Sequence, residues 1–402
     1  MSFGILKLQN PIQPYAWGST TAIPNLLGVA NPQNRPQAEL WMGSHPQAPS
    51  QVTLAGRAVS LEKIIAQSPA EILGKKTARC FHSSLPFLFK VLAAAQPLSI
   101  QAHPDQAQAR IGFARENRLG LALTAYNRNY KDPRPKPELI CALSPFWLLK
   151  GFRSAAAMRK IFQRLQPASL LAELGRLRLQ PRAAGLKHFF YTLLSLPREK
   201  QSQVAAEAAA AAARWRDQDP AFVWVEKLHG QYPGDIGVLS PLWLNLVCLD
   251  PGQALFLAAR ELHTYLEGVG IEIMANSDNV LRGGLTAKYV NVPELLQVLK
   301  FKPSRPRILN PQTVRPGEKL YPARVREFQL SVLEVENGRP YESPARQSVE
   351  ILLTVEGRAR IVPASAAEAV DLGPGASVLI PAAVPRYRLE GQARLFKATV
   401  PD

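Results

Sequence analysis

Leu249-Asp250-Pro251-Gly252, the apolar run from Ala254 to Ala259 and then Leu266-Glu267-Gly268 form a block that recurs 123 residues further along the chain. The second copy runs from Leu372-Gly373-Pro374-Gly375 through Ser377 to Ala382 and ends in Leu389-Glu390-Gly391. In each copy the Pro-Gly pair reads as a tight turn, the apolar run as a buried strand and the last glycine as another turn. Hairpins repeated in this way are what a small antiparallel barrel or jelly roll requires. The offset sets Arg386 of the second copy against His263 of the first. One barrel would then carry a ligating side chain at a station where its sister carries none.

Outward from the repeat the texture changes. From Ser154 to about Trp215 apolar residues recur every three or four positions (Ile161, Leu165; Leu170, Leu171, Leu174), and Ala208 to Ala213 is a run of alanines, so this stretch is predicted helical. Residues 86–104 and 238–304 hold short apolar runs broken by Pro and Gly, and 328–400 alternates apolar and polar residues as strands do. The expected fold is mainly β with a helical insertion. It divides into a discontinuous barrel domain (1–150 and 231–305), a helical domain (151–230) and a C-terminal barrel (306–402) without a ligand set. A chain of 402 residues with 47% hydrophobic and 20% charged residues can bury two or three cores, which excludes collagen-like, mucin-like and wholly disordered classes.

The formal charge of +17 would suit an anionic partner. Residues 151–200 hold ten basic side chains against Glu173 and Glu199, but no zinc-finger spacing, RNP-like motif or basic zipper accompanies them. A solvated helical face accounts for them better than nucleic acid does. No apolar run approaches the roughly 20 residues that span a bilayer, and Met1 to Tyr15 lacks a secretory pattern. These features predict a cytoplasmic protein that does not enter membranes. Cys80, Cys141 and Cys248 are odd in number and widely spaced, so they predict small buried residues, not disulfides or a thiolate metal site.

Few residues offer chemistry. In Ser99-Ile100-Gln101-Ala102-His103-Pro104 the strand period of two sets Ser99, Gln101 and His103 on a polar face and Ile100 and Ala102 on the core face. In Pro135-Lys136-Pro137-Glu138 the prolines enforce extended backbone, which sends Lys136 and Glu138 to one side. This pair reads equally as an ordinary surface ion pair. His263 stands in the repeat. Asp278-Asn279-Val280-Leu281-Arg282-Gly283-Gly284, followed by Lys288, suits either a loop that approaches an anion or a charged hairpin turn.

These four stretches, in this order, resemble those of the type I phosphomannose isomerases, and the resemblance covers nearly the whole chain. It also takes in Pro14-Tyr15-Ala16-Trp17-Gly18-Ser19, Ala38-Glu39-Leu40-Trp41-Met42-Gly43-Ser44-His45-Pro46, Leu85-Pro86-Phe87-Leu88-Phe89-Lys90-Val91-Leu92, Asn129-Tyr130-Lys131-Asp132-Pro133 and Met274-Ala275-Asn276-Ser277-Asp278. The resemblance implies a cupin-type enzyme with one Zn²⁺ per chain that interconverts mannose 6-phosphate and fructose 6-phosphate through an enediolate. Carried over by position, the metal ligands are Gln101, His103, Glu138 and His263. Arg282 would meet the enediolate, Lys288 and Ser99 the phosphate, and Lys136 would shuttle protons with Lys90 and Asp278 in support. A non-catalytic cupin that binds metal or sugar phosphate is the alternative.

The chain departs from the family block Asn-His-Lys-Pro-Glu at Arg134 and Pro135, which removes a histidine implicated in ring opening or proton relay. It also has Leu262-His263-Thr264-Tyr265 for Pro-His-Ala-Tyr, and Ala102 where a larger apolar residue is usual. The sequence does not show oligomeric state; a monomer is the default expectation.

Overall fold

The computed structural model describes residues 3–165, 167–180, 183–364 and 368–401. Two large antiparallel sheets, one of eleven strands and one of nine, hold most of the β structure. In the first, the strands that matter for the site are β1 (Glu39–Met42), β2 (Phe87–Ala94), β3 (Ile100–Ala102), β4 (Glu138–Ala142), β5 (Phe146–Phe152), β6 (Ala254–Leu257), β7 (His263–Ala275) and β8 (Leu281–Gly284). In the second they are β9 (Glu318–Leu320), β10 (Gln329–Val335), β11 (Glu350–Pro363), β12 (Ser377–Ile380) and β13 (Tyr387–Thr399).

Long β7 organises the first sheet. Its C-terminal half lies between β2 and β4, with Glu272 opposite Lys90 and Ile140, while its N-terminal end lies between β3 and β5, with His263 opposite Gln101 and Lys150. The change of partner needs a bulge at Tyr265/Glu267, beside Gly268. Gly268 has φ +135°, and a Cβ there would stand 2.7 Å from the Pro145 carbonyl oxygen. The last glycine of each repeat therefore lies within a strand and not in the turn predicted: Gly391, opposite Ala359 and at φ +115°, would place its Cβ 2.5 Å from the Arg358 carbonyl oxygen.

The rest of the repeat folds as two matching hairpins. Leu257 of β6 pairs with Glu138 and Ile380 of β12 pairs with Glu350; Lys150 lies opposite His263 and Pro363 opposite Tyr387. The counterpart of His263 is thus Tyr387, one residue beyond Arg386, because the connection from β12 to β13 is one residue longer than that from β6 to β7.

Period-two burial decides the faces. On β2, Phe87, Phe89, Val91 and Ala93 join Leu330, Ile351, Leu379 and Phe396 of the second sheet in one core, so the two sheets pack face to face. Leu92 belongs to a different core on the opposite face, and Lys90 shares that face. Five helices, Ala155–Leu165, Leu171–Leu179, Ala183–Ser195, Arg198–Ala212 and Pro220–Gln231, pack Phe162, Phe190, Val204 and Phe222 against Ile100, Ala102, Leu149 and Phe152 of the first sheet.

Helices outside that segment escaped the sequence reading. The clearest is Gln106–Arg118, announced only by a capping box in which Asp105 accepts from the Gln108 N–H and Gln108 answers at the Asp105 N–H. Cysteine burial is also uneven: Cys141 is buried, Cys248 intermediate, and Cys80 exposed at the end of the short helix Lys75–Cys80. Among the described residues no helix is long and apolar enough to cross a membrane.

Candidate functional site

A cavity of about 510 Å³ opens on the Lys90 face of the first sheet. Ser99, Gln101, Lys90, Lys136, Glu138, Asp278, Arg282 and Lys288 all line it. His103 and His263 lie behind its wall, each 1% exposed, on either side of Glu138.

The three form a compact donor set. His103 Nε2 is 3.3 Å from one Glu138 oxygen and His263 Nε2 is 3.2 Å from the other, and one donor atom from each residue falls within 4.8 Å of the other two. His103 Nδ1 lies 2.6 Å from the Asn279 carbonyl and His263 Nδ1 lies 3.1 Å from the Glu261 carbonyl. A carbonyl only accepts, so each Nδ1 carries the proton and each Nε2 turns a lone pair toward the carboxylate. Glu138 Oε2 and both Nε2 atoms are buried with no hydrogen-bond partner. Buried polar atoms left without partners cost free energy, and a shared cation would satisfy all of them at once.

Burial pushes the His103 imidazole down to about 4, against the pull of Glu138 and with help from Lys136, so the ring is neutral and free to donate. Burial would raise the Glu138 carboxyl, but Lys136 and His103 outweigh it and hold the group well below the usual carboxylate range. Two neutral nitrogens and one carboxylate are a donor set that suits Zn²⁺. Gln101, directly across from both His263 and Arg282, lines the cavity beside them.

Lys136 Nζ lies 3.1 Å from Glu138 Oε1, and with Lys136 8% and Glu138 1% exposed the pair is not a surface ornament. Lys90 sits between Glu272 at 3.0 Å and Glu39 at 3.5 Å; burial disfavours its ammonium, but the two carboxylates outweigh burial and raise its pKa. Tyr265 Oη donates to Glu272 at 2.8 Å and Trp41 Nε1 to Glu39 at 2.6 Å, completing the network. At the cavity mouth His45 Nε2 lies 3.3 Å from Asp278 Oδ1, and Gln47 donates to Oδ2 at 3.1 Å.

Arg282 has no carboxylate within 4.0 Å among the described residues, and burial lowers its pKa. Lys288 is lowered by burial, then by Arg282 and Lys131. Between these two cations runs a turn with Gly284 at φ +134° and Leu285 at φ +52°, pinned by Asp235, whose carboxylate accepts from the Gly237 N–H at 2.7 Å and the Thr286 N–H at 3.2 Å.

Glu39, Glu272, Tyr265, His45, Lys131 and Asn279 went unassigned in the sequence reading. Only the strand register that puts Glu272 across from Lys90 could have flagged the first three. Pro135 does not line this cavity; together with Arg134 it lines a smaller one. Of the basic helical segment, Arg153 donates to the Pro241 and Leu244 carbonyls, Arg159 lines a groove between two helices and Arg164 stacks over Trp215. Arg198 instead lines a chamber that shares Tyr232, Thr286, Ala287 and Lys288 with the main cavity.

Comparison with known proteins agrees with this geometry. Residues 5–155 match the family description "Phosphomannose isomerase type I, catalytic domain". Mannose-6-phosphate isomerase of Escherichia coli K12 is 42% identical over 394 residues, 97% of this chain and 98% of the relative, and that of Homo sapiens is 35% identical over 383 residues, 88% of each. A crystal structure of a phosphomannose isomerase mutant from Salmonella typhimurium superposes with a TM-score of 0.93 at 39% identity, covering 99% of this chain and 100% of the other. A zinc-bound mannose 6-phosphate isomerase does so at 0.92 and 40% identity, with the same coverage. By its sequence along nearly its whole length, and by its fold, the chain belongs to the type I phosphomannose isomerase family.

Proposed function

We propose that the chain is a zinc-dependent aldose-ketose isomerase of the cytoplasm that interconverts mannose 6-phosphate and fructose 6-phosphate. The observation that carries the reading is the buried His103-Glu138-His263 set, whose two Nε2 atoms and Glu138 Oε2 have no hydrogen-bond partner among the described residues, beneath a cavity ringed by cations. His103, Glu138, His263 and Gln101 hold the metal, which supplies Lewis-acid stabilisation to an oxygen that becomes negative during proton transfer. Arg282, with no carboxylate within 4.0 Å among the described residues, meets the enediolate charge as it develops between C1 and C2. Lys288 holds the phosphate as a point charge and Ser99 donates to it as a neutral hydroxyl. Lys136, against the metal carboxylate, moves the proton, while Lys90 and Asp278 fix the charges around it.

Each sheet is read as a cupin barrel, the first bearing the metal and the second none, with boundaries at 1–150 and 231–305, 151–230 and 306–402. A single chain supplies every residue of this site, so a monomer suffices.

Purified protein is assayed for conversion of mannose 6-phosphate to fructose 6-phosphate, after chelation and after zinc is restored. Turnover should vanish and return, and Arg282→Ala should lower kcat by about 10²–10³-fold, the usual loss for a charge-stabilising donor. Folded, zinc-loaded protein without turnover would establish the binding-only alternative.

A further inference from the structure

A second cavity, about 270 Å³, is lined by Arg134 and Pro135, the residues that immediately precede Lys136 in the metal-site stretch. Three arginines from distant parts of the chain converge on it: Arg110 from the helix Gln106–Arg118, Arg134, and Arg326 from the segment before β10. Among the described residues none of the three guanidinium groups has a carboxylate within 4.0 Å, unlike those of Arg115 and Arg260, while the Arg134 backbone N–H donates to Asp132 Oδ1 at 2.9 Å. Glu327 is the one carboxylate in the lining, so the cavity keeps an excess of positive charge even with His82 neutral.

The site has a defined frame. The Arg326 guanidinium lies 5.4 Å from the Phe81 ring centroid, and Arg134 Nη1 donates to the Asn276 carbonyl at 3.4 Å. Gln106 Nε2 donates to the Pro133 carbonyl at 2.7 Å and ties the stretch to the Arg110 helix. His82 and Ser83 both hold left-handed backbone, φ +53° and +57°, in the turn that forms one wall. Non-glycine residues keep such conformations only where their surroundings enforce them.

Guanidinium forks recognise phosphate and carboxylate oxygens in bidentate fashion. The volume falls just below the range of about 300–1,000 Å³ that takes drug-sized ligands, which leaves room for a small anion and not for a nucleotide. We propose that this cavity is an anion site, separate from the metal cavity, that takes a small phosphorylated dianion. Arg134 stands where the chain departs from the family block. The inference is independent of the isomerase reading, because it concerns other residues and a ligand that need not react.

The test is calorimetric titration of the whole zinc-loaded chain with inorganic phosphate at fixed ionic strength. Wild type should bind two phosphates per chain. Arg110→Gln with Arg326→Gln should lose one of them by tenfold or more in affinity while keeping isomerase rates within twofold. Arg134→Asn should weaken the same phosphate. Arg282→Gln with Lys288→Gln should lose the other phosphate and keep this one. Arg110, Arg134 and Arg326 are all exposed, so the variants of this cavity fold. Two phosphates bound as in wild type by the Arg110/Arg326 variant, or no phosphate bound by the Arg282/Lys288 variant, would overturn the proposal.

Discussion

Asn279 shows how much of the site hangs on one buried side chain. Its Oδ1 accepts from the Lys131 and Asp132 N–H groups at 2.7 and 3.2 Å, its Nδ2 donates to the Asp132 and Arg134 carbonyls at 2.8 and 2.9 Å, and its own carbonyl orients His103. One residue thus joins the stretch that carries Lys136 and Glu138 to the strand that carries Arg282. Asn279→Ala removes four part-buried hydrogen bonds and leaves the Lys131 and Asp132 N–H groups without this acceptor, while the Arg134 carbonyl keeps the Ser277 hydroxyl at 3.3 Å; each lost bond is worth about 0.5–1.5 kcal/mol. Denaturant melts of the metal-free protein should show a loss of several such units. Zinc affinity, read by competition with a chromophoric chelator, should fall about 10–100-fold, as it does when groups that orient metal ligands are removed.

Lys288 makes a second residue-scale prediction. Burial and two neighbouring cations lower its pKa, so its ammonium begins to lose charge below the usual lysine range. KM for the sugar phosphate should therefore rise on the alkaline side earlier than a free lysine would dictate. In Lys288→Arg, whose guanidinium keeps its charge, that limb should move to higher pH. KM profiles that coincide for the two proteins would remove Lys288 from phosphate binding.

At the scale of elements, the bend in β7 decides whether His263 can face Glu138 while Glu272 faces Lys90. Gly268 permits it. Gly268→Ala forces a side chain into left-handed backbone and against the Pro145 carbonyl, and such strain alone costs about 1–3 kcal/mol. The midpoint of chemical denaturation should drop accordingly, and zinc affinity with it, since the two halves of the strand carry different parts of the site. Gly237→Ala, in the turn that Asp235 pins to Thr286, should act on KM more than on zinc, because its Cβ would come 2.9 Å from the Leu285 N–H.

For the whole molecule, the second sheet repeats the first with its charges rearranged. By strand register Glu318 answers to Glu39, Glu350 to Glu138, Tyr387 to His263 and Lys397 to Glu272. Lys397 Nζ lies 2.6 Å from Glu318 and 3.8 Å from Glu350, and Tyr387 Oη donates to Glu350 at 2.8 Å. An ammonium and a phenol thus occupy the stations of the Glu272 carboxylate, which pairs with Lys90 in the first sheet, and of His263. Lys397→Met removes one of the two cations at each buried carboxylate, for Arg315 Nε stays 3.0 Å from Glu318 and Arg346 Nε 3.5 Å from Glu350; it should destabilise by about 1–3 kcal/mol and leave the zinc content at one per chain. Metal analysis beside a denaturation curve separates the two effects.

Much of this was legible before the fold. The Pro-Gly turns, the alternation around Gln101 and the run of family blocks are written in consecutive residues, where local conformational preference acts. His103, Glu138 and His263, whose donor atoms the structure brings together, were singled out as a ligand set only through the family resemblance. What the sequence left open depended on pairing between distant segments: Glu272 beside Lys90, Asn279 beneath the Lys131 stretch, Tyr387 in place of Arg386 as the counterpart of His263. A one-residue difference in a connection changes which side chain faces inward, because strand side chains alternate with period two. The sequence by itself determined which chemical groups the protein owns and the local shape of the backbone that bears them. Only the tertiary structure decided which of those groups meet, since register and face are set by how the two sheets and the helices share their cores, and no short stretch of chain contains that information.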